Sequence, residues 1–441
     1  MPMQAKLGFD DLERPSEEFL LKCVHCGLCL TTCPTYSILG VEADSPRGRL
    51  YLMTNVLDGR LGLTEGVVDH MYICLLCRAC ETACPSGVKY GRLMEAVRGQ
   101  IRRKYRQSAL EHFARYMVFK ALLPEQRRLE FLFAMTRLYQ RSGLQTSMRR
   151  LGLMRLLPRR LSALDEYIPP VPSRFFKAAD HPLTEPEGKK EHRVGFFSGC
   201  VMSVVFPSVN QATLRVLAKN GCEVVTPARQ RCCGALHVHN GELEIARQLA
   251  RANIDAFEEA NVEFVISNAG GCGATLKEYP ELLREDPQYA SRAERFSEKV
   301  KDVSEFLNGI NLNKSFGRIE ARATYQDPCH LAHVRKIRDQ PRAIIRAIPG
   351  VELVEMREPD RCCGSAGSYW FTNHDLSMKL LDSKMANVAT TKADVILTAN
   401  PPCLMHLRLG AARAGTEAKV AHVVELLDWA YQAARMDLNN S

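Results

Sequence analysis

Cys23, Cys26, Cys29 and Cys33, followed by Pro34, form the pattern C-x2-C-x2-C-x3-C-P, and Cys74, Cys77, Cys80 and Cys84, followed by Pro85, repeat it without deviation. Three thiolates so closely spaced can wrap three irons of one [4Fe–4S] cube, while the fourth cysteine, beyond the turn, reaches the other cube. The spacing predicts one cluster on Cys23, Cys26, Cys29 and Cys84 and a second on Cys74, Cys77, Cys80 and Cys33. Crossed ligation of this kind ties the motifs together and makes a short electron wire. Zinc is the competing reading, but closed zinc sites normally use two separated cysteine pairs rather than four cysteines in eleven residues ending in proline. His25, inside the first motif, is expected as a partly exposed turn residue, with donation to a cluster sulfur as the alternative.

A second constellation is duplicated. Cys200 lies 32 residues before Cys232, and Cys272 lies 39 after Cys233; Cys329 lies 33 before Cys362, and Cys403 lies 40 after Cys363. Each vicinal pair is followed by glycine, Gly234 or Gly364, which suits a sharp turn beside a bulky ligand. These eight cysteines are candidate metal or redox positions, expected to hold one or two further iron–sulfur clusters. Vicinal disulfides or redox thiols, zinc, and plain buried cysteines are the rival readings. Cys222 falls outside the repeat and reads as core. His237, His239, His330 and His333 read as helix-face residues or as partners of the ligands.

The elements that must position these residues follow from pattern. The chain has 441 residues, is 46% hydrophobic and carries 17 cysteines, whose tight local spacing points to metal ligation in a reducing compartment rather than a disulfide framework. After a proline-rich break at 169–172, apolar strands alternate with helices: strands at 194–197, 222–225 and 263–267, helices at 207–219 and 242–259. The order returns after residue 320 with strands at 323–326, 351–355 and 394–398. This reads as an internal duplication of a parallel α/β unit, with the cysteines at the carboxyl edges of the strands, where open α/β sheets place their sites. The expected fold class is therefore α+β and α/β multidomain: a helical dicluster ferredoxin-type domain over 1–97, a basic helical segment and linker over 98–190, and two Cys-Cys-Gly domains over 191–315 and 316–441.

The net charge of +9 is unevenly placed, since Arg98 to Arg160 holds 16 Lys or Arg against three acidic residues. Ala109, Leu110, Phe113, Met117, Val118, Ala121 and Leu122 are expected on one helical face, with Pro124 stopping the run and a second amphipathic helix over 125–141. Arg102, Arg103, Lys104, Arg106, Arg127, Arg128, Arg149, Arg150, Arg159 and Arg160 supply a basic face, which suits an anionic membrane surface or an acidic partner. No groove-reading motif accompanies the charge, so nucleic acid is not expected. Neither a signal peptide nor a transmembrane helix is visible. The absence of G-x-G-x-x-G after a strand, of a Walker loop and of an acid–base pair predicts no flavin on this chain and no catalytic residue.

Cys23-Val24-His25-Cys26-Gly27, Cys33-Pro34-Thr35-Tyr36, Ser45-Pro46-Arg47-Gly48-Arg49 and Cys84-Pro85-Ser86-Gly87-Val88 together resemble the iron–sulfur subunits of bacterial glycolate oxidase (glycolate dehydrogenase), over nearly the whole chain. The layout is also similar to the small subunit of anaerobic glycerol-3-phosphate dehydrogenase and to heterodisulfide-reductase-like proteins, whose thiol/disulfide chemistry is the rival function. The resemblance implies an electron-transfer subunit: FAD-binding flavoprotein partners oxidise a 2-hydroxy acid, glycolate to glyoxylate or D-lactate, and this chain relays electrons to quinone or another respiratory acceptor. It implies peripheral attachment at the cytoplasmic side of the inner membrane. One departure stands out: the last cysteine of each repeat often begins C-x2-C in the family, whereas Thr275 and His406 occupy those positions here. That argues against a five-cysteine noncubane cluster.

Overall fold

The computed structural model describes residues 8–440 except 106, 157 and 158. Arg106 and the side chains of Arg159 and Arg160, assigned above to the basic segment, lie outside the described residues. Up to residue 105 the described chain is helical and strand-free, with helices Pro34–Leu39, Pro46–Leu57, Glu65–Ile73, Ala79–Thr82 and Tyr90–Lys104 as its frame. Their starts are local in origin: Pro34 and Pro46 sit in the first turn, where a missing N–H costs nothing, and the Ser45 and Thr64 hydroxyls accept from the N–H groups of Gly48 and Val67. Met53, Val56, Met71, Met94, Val97 and Ile101 from these helices form one core, into which Cys74 and Cys80 are packed.

The Ser45-Pro46-Arg47-Gly48-Arg49 segment is where that core meets the cysteine loops. Arg47 bonds the Glu42 carboxylate at 2.7 Å and the His25 carbonyl at 3.3 Å. Arg49 is fully buried, donating to the His70 carbonyl at 2.6 Å and lying 3.3 Å from both Asp44 and Thr35. A Cβ on Gly48 would collide with the Glu42 carbonyl. Gly48→Ala is therefore expected to destabilise this domain by about 1–3 kcal/mol, the usual cost of overpacking against backbone. Denaturant melts of the two proteins check it; a difference below about 0.5 kcal/mol would mean that the Glu42 loop simply moves aside.

Two sheets carry the remainder. Strands β1 (Leu183–Thr184), β2 (His192–Phe197), β3 (Cys222–Val225), β4 (Phe264–Ser267) and β5 (Val300–Asp302) order as β1-β3-β2-β4-β5; strands β6 (Ala321–Tyr325), β7 (Val351–Leu353), β8 (Val395–Thr398) and β9 (Lys419–His422) order as β7-β6-β8-β9. All pairings are parallel except β1 with β3, and β1 has no counterpart in the second sheet. Without β1 the two orders are the same, so the duplication read from cysteine spacing is one of topology as well. Strands β2 and β8 are buried almost throughout, as parallel strands covered by helices on both faces must be. The two units share a core through the helices Pro207–Lys219 and Val423–Asn440, with Val216, Leu217, Leu426 and Ala430 inside it. Arg215 adds a bidentate pair to Asp428 at 3.0 and 2.7 Å across that seam. Cys222 is fully buried in the shared core, as its sequence position suggests.

The basic segment departs from expectation. A single helix stopped by Pro124 is replaced by an α-helix, Ala109–Arg115, that widens into π-helical turns over Tyr116–Leu122. Phe119 and Leu123 are the residues buried, against the first Cys-Cys-Gly unit, where His237 donates to the Phe119 carbonyl at 2.8 Å. Leu110, Phe113, Met117 and Val118, expected to pack as one face, remain exposed. The basic face is also thinner than the sequence count implies: Arg102 and Arg115 turn inward onto Glu242, and Arg103 onto Glu13 and Asp10.

Candidate functional site

Thiols surround two small cavities in the helical domain. Cys23, Cys26, Cys29 and Cys84 line the first, which Cys80 also borders; Cys33, Cys74, Cys77 and Cys80 line the second. The fourth cysteine of each motif has crossed to the other cavity. Pro46, Cys80 and Tyr90 border both, so only one layer of side chains separates them. The loops reach this arrangement through backbone that L-residues seldom adopt: His25 and Gly27 have φ of 53° and 84°, and the equivalent Leu76 and Arg78 have 55° and 62°. The Leu76 N–H consequently donates to Cys74 Sγ at 3.4 Å, and the Tyr90 hydroxyl donates to the same sulfur at 3.6 Å. The His25 side chain is exposed, and its part in the loop is played by its backbone.

The donor chemistry fits [4Fe–4S] clusters. Burial pushes the Cys29 thiol up to about 11 and raises Cys77 and Cys80 well above the ordinary thiol range, with neighbouring cysteines adding to the effect. Several thiolates in so dry a space need a compensating cationic group, which iron supplies. Four thiols spread around one cavity suit a cube, whereas closed zinc sites use two separated cysteine pairs.

In the first repeat, Cys200 opens the helix Cys200–Val205 after β2, the Cys232–Cys233 pair turns at Gly234, and Cys272 lies in the helix Gly270–Lys277 after β4. Cys200 and Cys232 Sγ are 3.5 Å apart. The carbonyls of the pair are fixed by Asn253 at 3.1 Å and by the Tyr279 hydroxyl at 3.0 Å. In the second repeat, Cys329 follows β6, Cys362 and Cys363 turn at Gly364, and Cys403 lies in the helix Pro401–Arg413. Here His406 fixes the Cys363 carbonyl at 2.9 Å. Hydrogen bonds from Cys362, Cys403 and His406 hold the Cys363 thiol well below its usual range, while burial and its neighbours raise Cys362 and Cys403. All seventeen cysteines are unbridged.

The second repeat lies against the helical domain. Leu75, Cys77 and Ala79 pack with Cys362, Tyr369 and Cys329 in one apolar cluster, and His330 donates to the Leu76 carbonyl at 2.9 Å. His239 from the first repeat stands edge-on to His330 at 5.0 Å and pairs with Glu95. Burial keeps these imidazoles neutral, down to about 4 for His239 and about 3 for His330, so they add no charge to the junction. His237 and His330 thus hold backbone of another domain, while His239 bonds the Glu95 carboxylate and His333 the Asp360 carbonyl and the Thr82 hydroxyl.

Residues that sequence reasoning passed over include Tyr90, which borders both cavities, and Asn400, whose Nδ2 lies 3.6 Å from Cys403 Sγ. Tyr90 carried no signal, because an aromatic residue in an amphipathic helix reads as core. Asn400 breaks the repeat, facing Ala269 in the alignment of the two halves, and that asymmetry was available.

Comparison with known proteins agrees with this anatomy. Models for a 4Fe-4S dicluster domain match residues 19–88, for the linker region of the glycolate oxidase iron-sulfur subunit 110–168, and for a cysteine-rich domain 194–277 and 323–408. The dicluster match implies two [4Fe–4S] clusters, and the paired cysteine-rich matches suggest further cysteine-bound sites. The probable glycolate oxidase iron-sulfur subunit of Bacillus subtilis is 45% identical over 94% of this chain and 95% of that protein. The glycolate oxidase iron-sulfur subunit of Escherichia coli is 34% identical over 95% of each. Lactate utilization protein A of Oceanobacillus iheyensis is 31% identical over 54% of this chain and 96% of that protein. With two cysteine-lined cavities, a matching linker, a duplicated Cys-Cys-Gly unit and full-length similarity, the chain belongs to the glycolate oxidase iron-sulfur subunit family.

Proposed function

We propose that this chain is the electron-transfer subunit of a 2-hydroxy-acid dehydrogenase complex, oxidising glycolate to glyoxylate, in which FAD-binding partner subunits carry out the oxidation and a quinone-type respiratory acceptor receives the electrons. The observation that supports it best is contiguity: two cavities with a shared wall, the second packed on the Cys329–Cys362 site. On this reading Cys23, Cys26, Cys29 and Cys84 hold one cluster, Cys74, Cys77, Cys80 and Cys33 a second, and the eight Cys-Cys-Gly cysteines further redox groups. Domains over 1–97, 98–190, 191–315 and 316–441 follow from it. When bound, such clusters accept and release single electrons. The protein's part is to orient thiolates on strained loops, direct the Leu76 N–H and Tyr90 hydroxyl at Cys74 sulfur, and exclude water around Cys74, Cys77 and Cys80. Anaerobic EPR on the tagged protein with its native partners tests the reading, with dithionite as the full-reduction control. Glycolate should reduce the cluster signals; reduction by dithionite alone would mean a different substrate, and no cluster signal at all would remove the relay.

We also assign the linker to an anionic bilayer surface. Of 21 large apolar side chains exposed among the described residues, 13 fall between Leu110 and Leu156, and Lys120, Arg127, Arg141 and Arg150 are exposed on the same segment. No helix among the described residues is long and apolar enough to cross a membrane, so contact would be from one side. Phe131 and Leu138 lie on one face of the helix Gln126–Arg141, two turns apart, at 67% and 61% exposure. Burying each in the interface is worth about 1.5 kcal/mol or more, so Phe131→Asp with Leu138→Asp should weaken flotation with phosphatidylglycerol vesicles at least about tenfold. Unchanged flotation would assign this face to a protein partner.

A further inference from the structure

The two Cys-Cys-Gly units are alike in topology but differ in the groups that face their sulfurs. Counting back from Cys272 and Cys403, Ala269 and Asn400 are equivalent; counting forward, Thr275 and His406 are. In the first unit Ala269 offers no side-chain donor, and the Thr275 hydroxyl is turned to the Gly271 carbonyl at 3.1 Å. In the second, Asn400 Nδ2 donates to Cys403 Sγ at 3.6 Å, while Asn400 Oδ1 accepts from the Gly271 N–H at 3.0 Å. The direction of this amide follows from its partners. A backbone N–H can only donate, so the oxygen must face Gly271 and the nitrogen is left facing sulfur. Beside it, the Gly270 N–H donates to the Ala399 carbonyl at 2.9 Å, fixing the separation of the two loops. Gly270 and Gly271 immediately precede Cys272, so one side chain touches a sulfur of the second site and the backbone leading to a cysteine of the first.

An N–H donor to a ligating sulfur stabilises the electron-rich state of the group held there and raises its reduction potential. We propose that Asn400 is a positioning residue that sets the second Cys-Cys-Gly site at a higher reduction potential than the first, making it the place beside the Cys77 loop where reducing equivalents collect, including any that arrive from the Cys272 side. This rests on the reading that both sites hold redox groups.

The test is an EPR-monitored redox titration, with iron analysis, of the intact complex carrying Asn400→Ala or Asn400→Asp. The expected result is full iron content with one midpoint moved negative, further for the aspartate because it replaces the donor by a negative charge, and the ferredoxin-type midpoints unmoved. Full iron with every midpoint unchanged, or with all midpoints drifting together, would overturn the role of Asn400 while leaving the occupancy of the sites intact. Iron near eight atoms per chain with only ferredoxin-type signals, the content of two cubes, would overturn this inference and the occupancy on which it rests together.

Discussion

Cys84→Ala is expected to cost the cluster of the first motif although Cys84 belongs to the second. The thiol lines the cavity of Cys23, Cys26 and Cys29, while Cys33 has crossed to that of Cys74, Cys77 and Cys80. Single substitutions at Cys23 and Cys84 should each remove about four irons per chain, the content of one cube, and the two together should remove no more. Cys74→Ala combined with Cys84→Ala should instead remove about eight. Non-additivity within one set and additivity between sets is the signature of shared ligation, and iron analysis of anaerobically purified variants reads it. The opposite pattern, with Cys23 and Cys84 additive, would place each motif around its own cluster and break the short connection between the cavities.

The second large effect is expected at Arg49. Its guanidinium has 1% side-chain exposure and faces Asp44 at 5%, with His70 Nδ1 2.9 Å from the same Asp44 oxygen. Arg49→Met leaves Asp44 buried without its principal cation, which typically costs about 3–5 kcal/mol. Arg49 also lines the cavity of Cys33 and Cys74, so loss of its positive charge should lower that cluster's reduction potential. Thermal melts followed at the cluster absorbance would show earlier iron release. Adding Asp44→Leu should recover much of the stability, since the orphaned charge is gone, and part of the potential, since a negative charge beside Cys33 leaves with it. A cluster potential unchanged in Arg49→Met would mean that Arg49 acts on the cluster only through the fold.

The cysteine chemistry was legible because it is local. Spacings of two and three residues are set by how a short loop can bend around a metal group, so Cys23 to Cys84 could be read without knowing the rest of the molecule. The alternation of apolar strands with helices was legible for a related reason. Parallel strands such as β2 and β8 are buried on both faces and leave continuous apolar runs, and the second copy repeats the first. The helical segment misled for the converse reason. Leu110, Phe113, Met117 and Val118 have the period of a packed face, but periodicity states only that a face is apolar, not what covers it; Phe119 and Leu123 do the packing.

By itself the sequence determined the two motifs, the duplication and the family resemblance, each a matter of residue identity at short range or of repetition along the chain. Tertiary structure alone decided that Cys77 lies against Cys329 and Cys362, 252 and 285 residues away, that Tyr90 stands between two cavities, that several arginines of the basic segment face Glu242 and Glu13 rather than solvent, and that Asn400 joins the two repeats. These contacts arise where separately folded surfaces bury each other. Such burial depends on shape and on charge pairing between distant segments, and it leaves no period or spacing in the sequence from which it could be read.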